Sequence, residues 1–190
     1  MNTPAHLIFG AATFARPGQR HSAAAAVLGS LVPDLSLYLM VTVSIWIMGI
    51  PAARVFDELY FSDGWQTVFA VDNSFVLWGL LLACAIWQVR PAMATFAKAG
   101  LLHLTCDFLL HNEDARRQFW PISDWVFRSP FSYYDARHYG HIIGPLEIAL
   151  CLVFSVILWR RFSGRLAQAL ILGALVLEVA PSVIFRLMLH

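Results

Sequence analysis

Residues 92–110 read AMATFAKAGLLHLTCDFLL, nineteen positions with a single lysine and a single aspartate. A helix crossing ~30 Å of hydrocarbon at 1.5 Å per residue needs roughly 20 residues, so this stretch is long enough to span a bilayer. It also carries His103 and Asp107, side chains that hydrocarbon penalises. The fold is therefore read as a membrane bundle with polar chemistry inside it.

Working outward, four more stretches have the same character, at about 22–50, 65–87, 142–159 and 166–189. Only 13% of the 190 residues are charged and 59% are hydrophobic, and mean hydropathy is +0.65. That is about half the charge of a soluble domain, too little to cover a water-facing surface. Ahead of the spans, Thr3 can cap a short helix and Pro4 can occupy its first position, until Arg16-Pro17-Gly18 stops it. The expectation is an all-α, polytopic membrane helix bundle of about five spans plus a short N-terminal interfacial or re-entrant helix. It forms one integral membrane domain over residues 1–190, with an aromatic-rich loop at 112–141 and no internal repeat.

Composition excludes several function classes. A net charge of +1, with no basic run longer than two, leaves no electrostatic footprint for nucleic acid. Cys84, Cys106 and Cys151 are odd in number and lie in apolar runs, so they read as buried, inert thiols rather than disulfides or a zinc knuckle. Arg16 and Arg20 follow the first apolar stretch instead of preceding it, and no cleaved signal peptide is expected. Alternating spans collect seven Lys and Arg on one side, including Arg90, Lys98, Arg160 and Arg161, and six on the other among many acids. This favours the N-terminus inside and the two long loops outside.

Each span holds a carboxylate: Asp34, beside the helix-perturbing Pro33, then Asp72, Asp107, Glu147 and Glu178. No lysine or arginine is expected at comparable depth, so these acids must be protonated, wet or bound to a cation. His103, Asp107 and His111 are spaced i, i+4, i+8 and share a helix face. His103 and Asp107, ~6 Å apart along the axis, can chelate one metal; His111, ~12 Å from His103, would take a second ion or act on substrate. A plain His-Asp hydrogen bond tying two helices explains the pair equally well. Imidazole with carboxylate suits a divalent metal, zinc above all, or manganese if oxygen ligands dominate.

His138 and His141 form an i, i+3 pair before the fourth span, able to chelate or simply to sit at the interface; His21 and His190 stand alone and take no role. The loop carries Phe119-Trp120-Pro121, Trp125 and Tyr133-Tyr134, and reads as an aromatic belt at the headgroups or as a substrate lid. Arg116 and Arg117, at its start, can take a phosphate.

Four elements, Ala5-His6-Leu7-Ile8-Phe9, Leu31-Val32-Pro33-Asp34-Leu35, Gly100-Leu101-Leu102-His103-Leu104-Thr105-Cys106-Asp107 and Phe119-Trp120-Pro121, carry a family resemblance over roughly the first 130 residues. In order, they resemble the bacterial inner-membrane metal-dependent hydrolases of the LexA-binding group, which are distantly similar to zinc-dependent phospholipase C and to single-strand nucleases of the same helical architecture. The resemblance implies metal ligands at His6, Asp34, His103 and Asp107. It also exposes a departure, because the family's His-Arg-Gly-x-Thr-His segment is replaced by Val71-Asp72-Asn73-Ser74-Phe75. Either Asp72 or Asn73 replaces a ligand and His111, His138 or His141 supplies imidazole, or catalysis has gone and a binding scaffold remains. Relatives carry a cobalamin-biosynthesis label, yet the chain has no nucleophile elbow and no phosphate loop.

The sequence thus points to a multi-pass protein of the bacterial inner membrane, in contact with membrane lipids, that hydrolyses a phosphoester. A lipid or lipid-linked substrate would be cleaved by metal-activated water, with Asp72 and His111 as catalytic residues. The alternative is a non-enzymatic transporter or accessory subunit whose acids and histidines handle a metal or cofactor.

Overall fold

The computed structural model describes residues 1–188, and all regular elements among them are helical. The elements are α1 (Thr3–Phe14), α2 (Arg20–Thr42) running into a wider turn at Val43–Ile47, α3 (Ala52–Arg54) with a similar turn at Val55–Leu59, α4 (Asp63–Asp72) and α5 (Phe75–Trp87). After these come α6 (Pro91–Leu110), a 3₁₀ turn at Ala136–His138, α7 (Gly140–Arg161) and α8 (Arg165–Met188). Four of these stretches are long and apolar enough to cross a membrane: His21–Ile47, Asp63–Trp87, Pro91–Leu110 and Gly140–Arg161. The fifth expected span is α8; its end at Leu189, like the lone His190, lies outside the described residues.

Helix α1 is central rather than interfacial. It packs on α2, α6, α7 and α8, and Ala5, Ile8 and Ala12 on its inner face meet Cys151 and Leu158 of α7. Its last carbonyls, which lack helix partners, are met by Arg161, whose Nη1 donates to Ala12 O at 2.7 Å and Ala15 O at 3.2 Å. At the other end, Thr3 does not cap. Asn2 holds that position, and the Thr3 hydroxyl donates instead to Asp34 Oδ2 at 2.5 Å. Asp34 is the fourteenth residue of the 27-residue stretch His21–Ile47. Twelve helical residues rise ~18 Å, so α1 enters from the Arg161 side and stops midway through the bundle, as a re-entrant helix.

The second span is not continuous. Asp, Asn and Ser favour helix ends because their side chains compete for backbone groups, and here Ser74 caps α5, its Oγ accepting from Leu77 N at 3.1 Å. Asn73 fills the gap, donating to Pro33 O at 3.2 Å and Phe69 O at 3.1 Å, while Trp78 Nε1 donates to Asp72 O. The segment 71–75 thus forms a joint that ties α4 to α2.

Contact between α5 and α6 relies on Gly100, where an added Cβ would meet the Trp78 ring at 2.1 Å. Gly100→Ala is expected to lower unfolding stability in detergent by about 1–3 kcal/mol through overpacking. Gly79→Ala, with open space around it, is expected to leave the unfolding midpoint unchanged or raise it slightly. The cysteines are all free, but only Cys151 is buried; Cys106 is half-buried and Cys84 exposed.

Candidate metal centre

The site forms where the midpoint of α2, the start of α1 and the end of α6 meet. His103 Nδ1 lies 2.7 Å from Ser30 O, and because a carbonyl only accepts, the ring proton sits on Nδ1. That leaves Nε2 facing Asp107 Oδ2 at 3.1 Å and Asp34 Oδ1 at 3.6 Å. His6 Nε2 reaches Asp107 Oδ1 at 2.9 Å, and its ring stacks on that of His103 at 3.5 Å with planes 10° apart. All four side chains are buried. The Met1 nitrogen donates to Asp107 Oδ1 at 2.9 Å.

His6, His103 and Asp107 offer ligand atoms lying within 4.8 Å of one another. Around a tetrahedral ion with bonds of 2.0–2.1 Å, donors stand roughly 3.3 Å apart, and the His103 and His6 spacings above bracket that value. The orientation of His103 by a carbonyl is also how ligating imidazoles are normally held. The donor set therefore fits a divalent cation, with Asp34 beside it.

His111 differs from expectation. Helix α6 stops at Leu110 and His111 is extended, with φ −117° and ψ 134°, so its side chain folds back instead of continuing up the axis. Its Nε2 stands 3.1 Å from Asp107 Oδ1, and its Nδ1 2.6 Å from Asp114 Oδ2. Burial alone would disfavour the His111 cation, but Asp107 and the hydrogen bonds to Asp107 and Asp114 raise its pKa above the usual histidine value. Burial likewise opposes ionisation of Asp114, yet the bond from His111 holds it below the ordinary carboxylate range.

Arg116 brings a cation to a depth where only acids were expected. It is 8% exposed, its Nη1 is 3.9 Å from Asp34 Oδ1, and its guanidinium lies 4.8 Å over the Phe69 ring. Its Nε and Nη1 have no hydrogen-bond partner. Burial works against its charge, but Tyr60, Asp34 and Asp107 more than offset this and raise its pKa. A cavity of about 580 Å³ opens beside the cluster, with Asp34, Asp107, His111 and Arg116 on its floor and Tyr38, Phe56, Phe61 and Tyr134 at its mouth.

Other expected site residues do not join. Arg117 turns outward to Asp124 and Thr67, each at 3.3 Å, because Arg116 takes the inward-facing position of the pair. Asp72 ends α4 and is not among the residues lining the cavity. His138 pairs with Asp135 at 3.0 Å and His141 is exposed; the loop fold directs both away from the donors. Glu147 and Glu178 position the N-terminal segment, accepting from Asn2 N at 2.9 Å and Asn2 Nδ2 at 3.3 Å. The long loop is tied down over α6, with Ser129 Oγ donating to Leu109 O and Gln118 Nε2 to Leu104 O. Tyr133 and Tyr134 line the cavity, while Ile122 and Trp125 are exposed.

Compared with known proteins, the chain matches no family model, no curated protein and no solved structure.

Proposed function

We propose that the protein is a metal-dependent hydrolase of the bacterial inner membrane that cleaves a phosphoester with water. The observation carrying this reading is the convergence of His6, His103 and Asp107, brought from opposite ends of 101 residues of chain onto one point at the floor of an open cavity. His6, His103, Asp107 and Asp34 would hold the ion, zinc being favoured by two imidazoles with carboxylate. Bound there, a divalent cation supplies Lewis acidity toward a phosphoryl oxygen and acidifies a coordinated water. Ser30 fixes the His103 ring so that Nε2 stays turned inward. Asp114 holds His111 through Nδ1, and Nε2, which meets Asp107 Oδ1 on the cavity floor, is the ring atom placed to hand a proton to the leaving group.

A transport route through the bundle is disfavoured by the apolar packing of Ala5, Ile8 and Ala12 against Cys151 and Leu158, which fills the space between the cluster and the Arg161 side. The test is elemental analysis of purified protein together with phosphate release from a phosphoester. Wild type is expected to carry close to stoichiometric metal and to lose activity with a chelator; His103→Ala is expected to carry almost none. Equal metal content in the two would sink the assignment.

A further inference from the structure

Arg116 and the cavity mouth make different demands on a ligand, and together they narrow its chemistry. At the floor, a guanidinium that is more than nine-tenths buried presents unpartnered Nε and Nη1. The nearest carboxylate, Asp34, stands 3.9 Å away, beyond hydrogen-bond reach. Such a group is costly to bury without a hydrogen-bonded anion. At the mouth, Phe56 and Phe61 are 48% and 55% exposed. Tyr38 lines the same opening and lies on α2 only four residues beyond Asp34, or ~6 Å along the axis. The face of α2 around it, with Leu35 and Leu39, is exposed and apolar, as expected of a surface turned to hydrocarbon. The opening therefore lies between this face of α2 and the segment 55–61 that joins two spans, where the exposed Asp57 also lines it, and a volume of about 580 Å³ is in the range that encloses a small ligand.

We infer that the cavity binds a phosphate-bearing amphiphile, with its phosphate on Arg116 and its apolar tail leaving past Tyr38, Phe56 and Phe61 into the membrane. This deepens the hydrolase reading and rests on it for the fate of the ligand, though binding itself needs only Arg116 and the mouth.

The test measures ligand retained by the purified protein in non-ionic detergent, using native mass spectrometry, with phosphatidic acid as the amphiphile, glycerol phosphate as the tail-free head and phosphatidylcholine as background. Wild type is expected to retain one phosphatidic acid above background. Arg116→Gln should weaken this at least about tenfold, as loss of a charge-assisted contact does, while Arg117→Gln leaves it unchanged. Phe56→Ser with Phe61→Ser should weaken phosphatidic acid but not glycerol phosphate. If Arg116→Gln does not fold, the comparison moves to Arg116→Lys, expected to lose severalfold because the planar fork is gone.

Wild-type retention in the folded Arg116 variant, or equal affinity for phosphatidic acid and glycerol phosphate, overturns the inference. Release of phosphate is followed in the same samples. Retention that depends on Arg116 without any release supports the binding site and counts only against hydrolysis. Release that is indifferent to Arg116 counts against the binding site alone.

Discussion

Asp107→Asn is expected to abolish metal binding and phosphoester hydrolysis together. Asp107 meets more partners in the cluster than any other side chain: one oxygen faces His6 Nε2, His111 Nε2 and the Met1 nitrogen, and the other faces His103 Nε2. An amide keeps the shape but removes the charge that those groups share, and its NH₂ cannot accept. Supporting residues around metals typically contribute 10–100-fold in affinity, and a direct ligand should exceed that, so the loss is set at about 100-fold or more. Removing one partner of a buried charged cluster also costs about 3–5 kcal/mol, visible as a lower unfolding midpoint. Metal-to-protein ratio and unfolding in the same detergent check both parts. Full metal content in Asp107→Asn would take the carboxylate out of the site.

Gly29→Ala is expected to damage the same site without touching a donor. A Cβ at position 29 would sit 2.1 Å from Phe96 O, a backbone atom that no rotamer change can move aside. Helices α2 and α6 must separate, and these two carry Asp34 on one side and His103 with Asp107 on the other. Metal distances tolerate only about ±0.2 Å, whereas relieving the clash needs roughly 1 Å, a displacement that in catalytic sites can cost about 100-fold. The expected result is a stability loss of about 1–3 kcal/mol and metal affinity at least about tenfold weaker, measured by competition with a chelator. Wild-type affinity in a folded Gly29→Ala protein would show that the close approach of the helices does not set the site.

Much of this arrangement was legible because hydrophobic length is a local property. Residues 92–110 and the other apolar runs identify helices, and the stop at Arg16-Pro17-Gly18 marks a first helix too short to cross. The spacing of His103 and Asp107 places them on one helix face, which is also local. His6 and Asp34 are different, since nothing in their spacing links them to α6; they entered through short motifs, and the structure brings them to it.

What escaped depends on chain direction beyond a helix end. Arg116 reads as a loop residue, and only the return of the loop over α6 buries it beside Asp34. The expected separation of His111 from His103 follows a helix axis that ends one residue earlier, at Leu110. Asp114 carries a signal in its i, i+3 spacing to His111, the one local trace of that pair. Asp72-Asn73-Ser74 misled for a chemical reason: side chains that cap a helix inside a membrane use the same atoms as side chains that bind a ligand.

The half-span α1 makes the site a late event in the life of the chain. Its first residues contact Glu147 and Glu178, and its last carbonyls wait for Arg161, so the helix that delivers His6 has no complete seat until the final two helices are in place. During synthesis Asp34, His103 and Asp107 emerge before α7 and α8 do, and so before their fourth companion has its complete seat. On the proposed function, metal capture by the full set would report completed assembly, and nascent chains halted before α7 are a population in which these acids must remain wet or protonated.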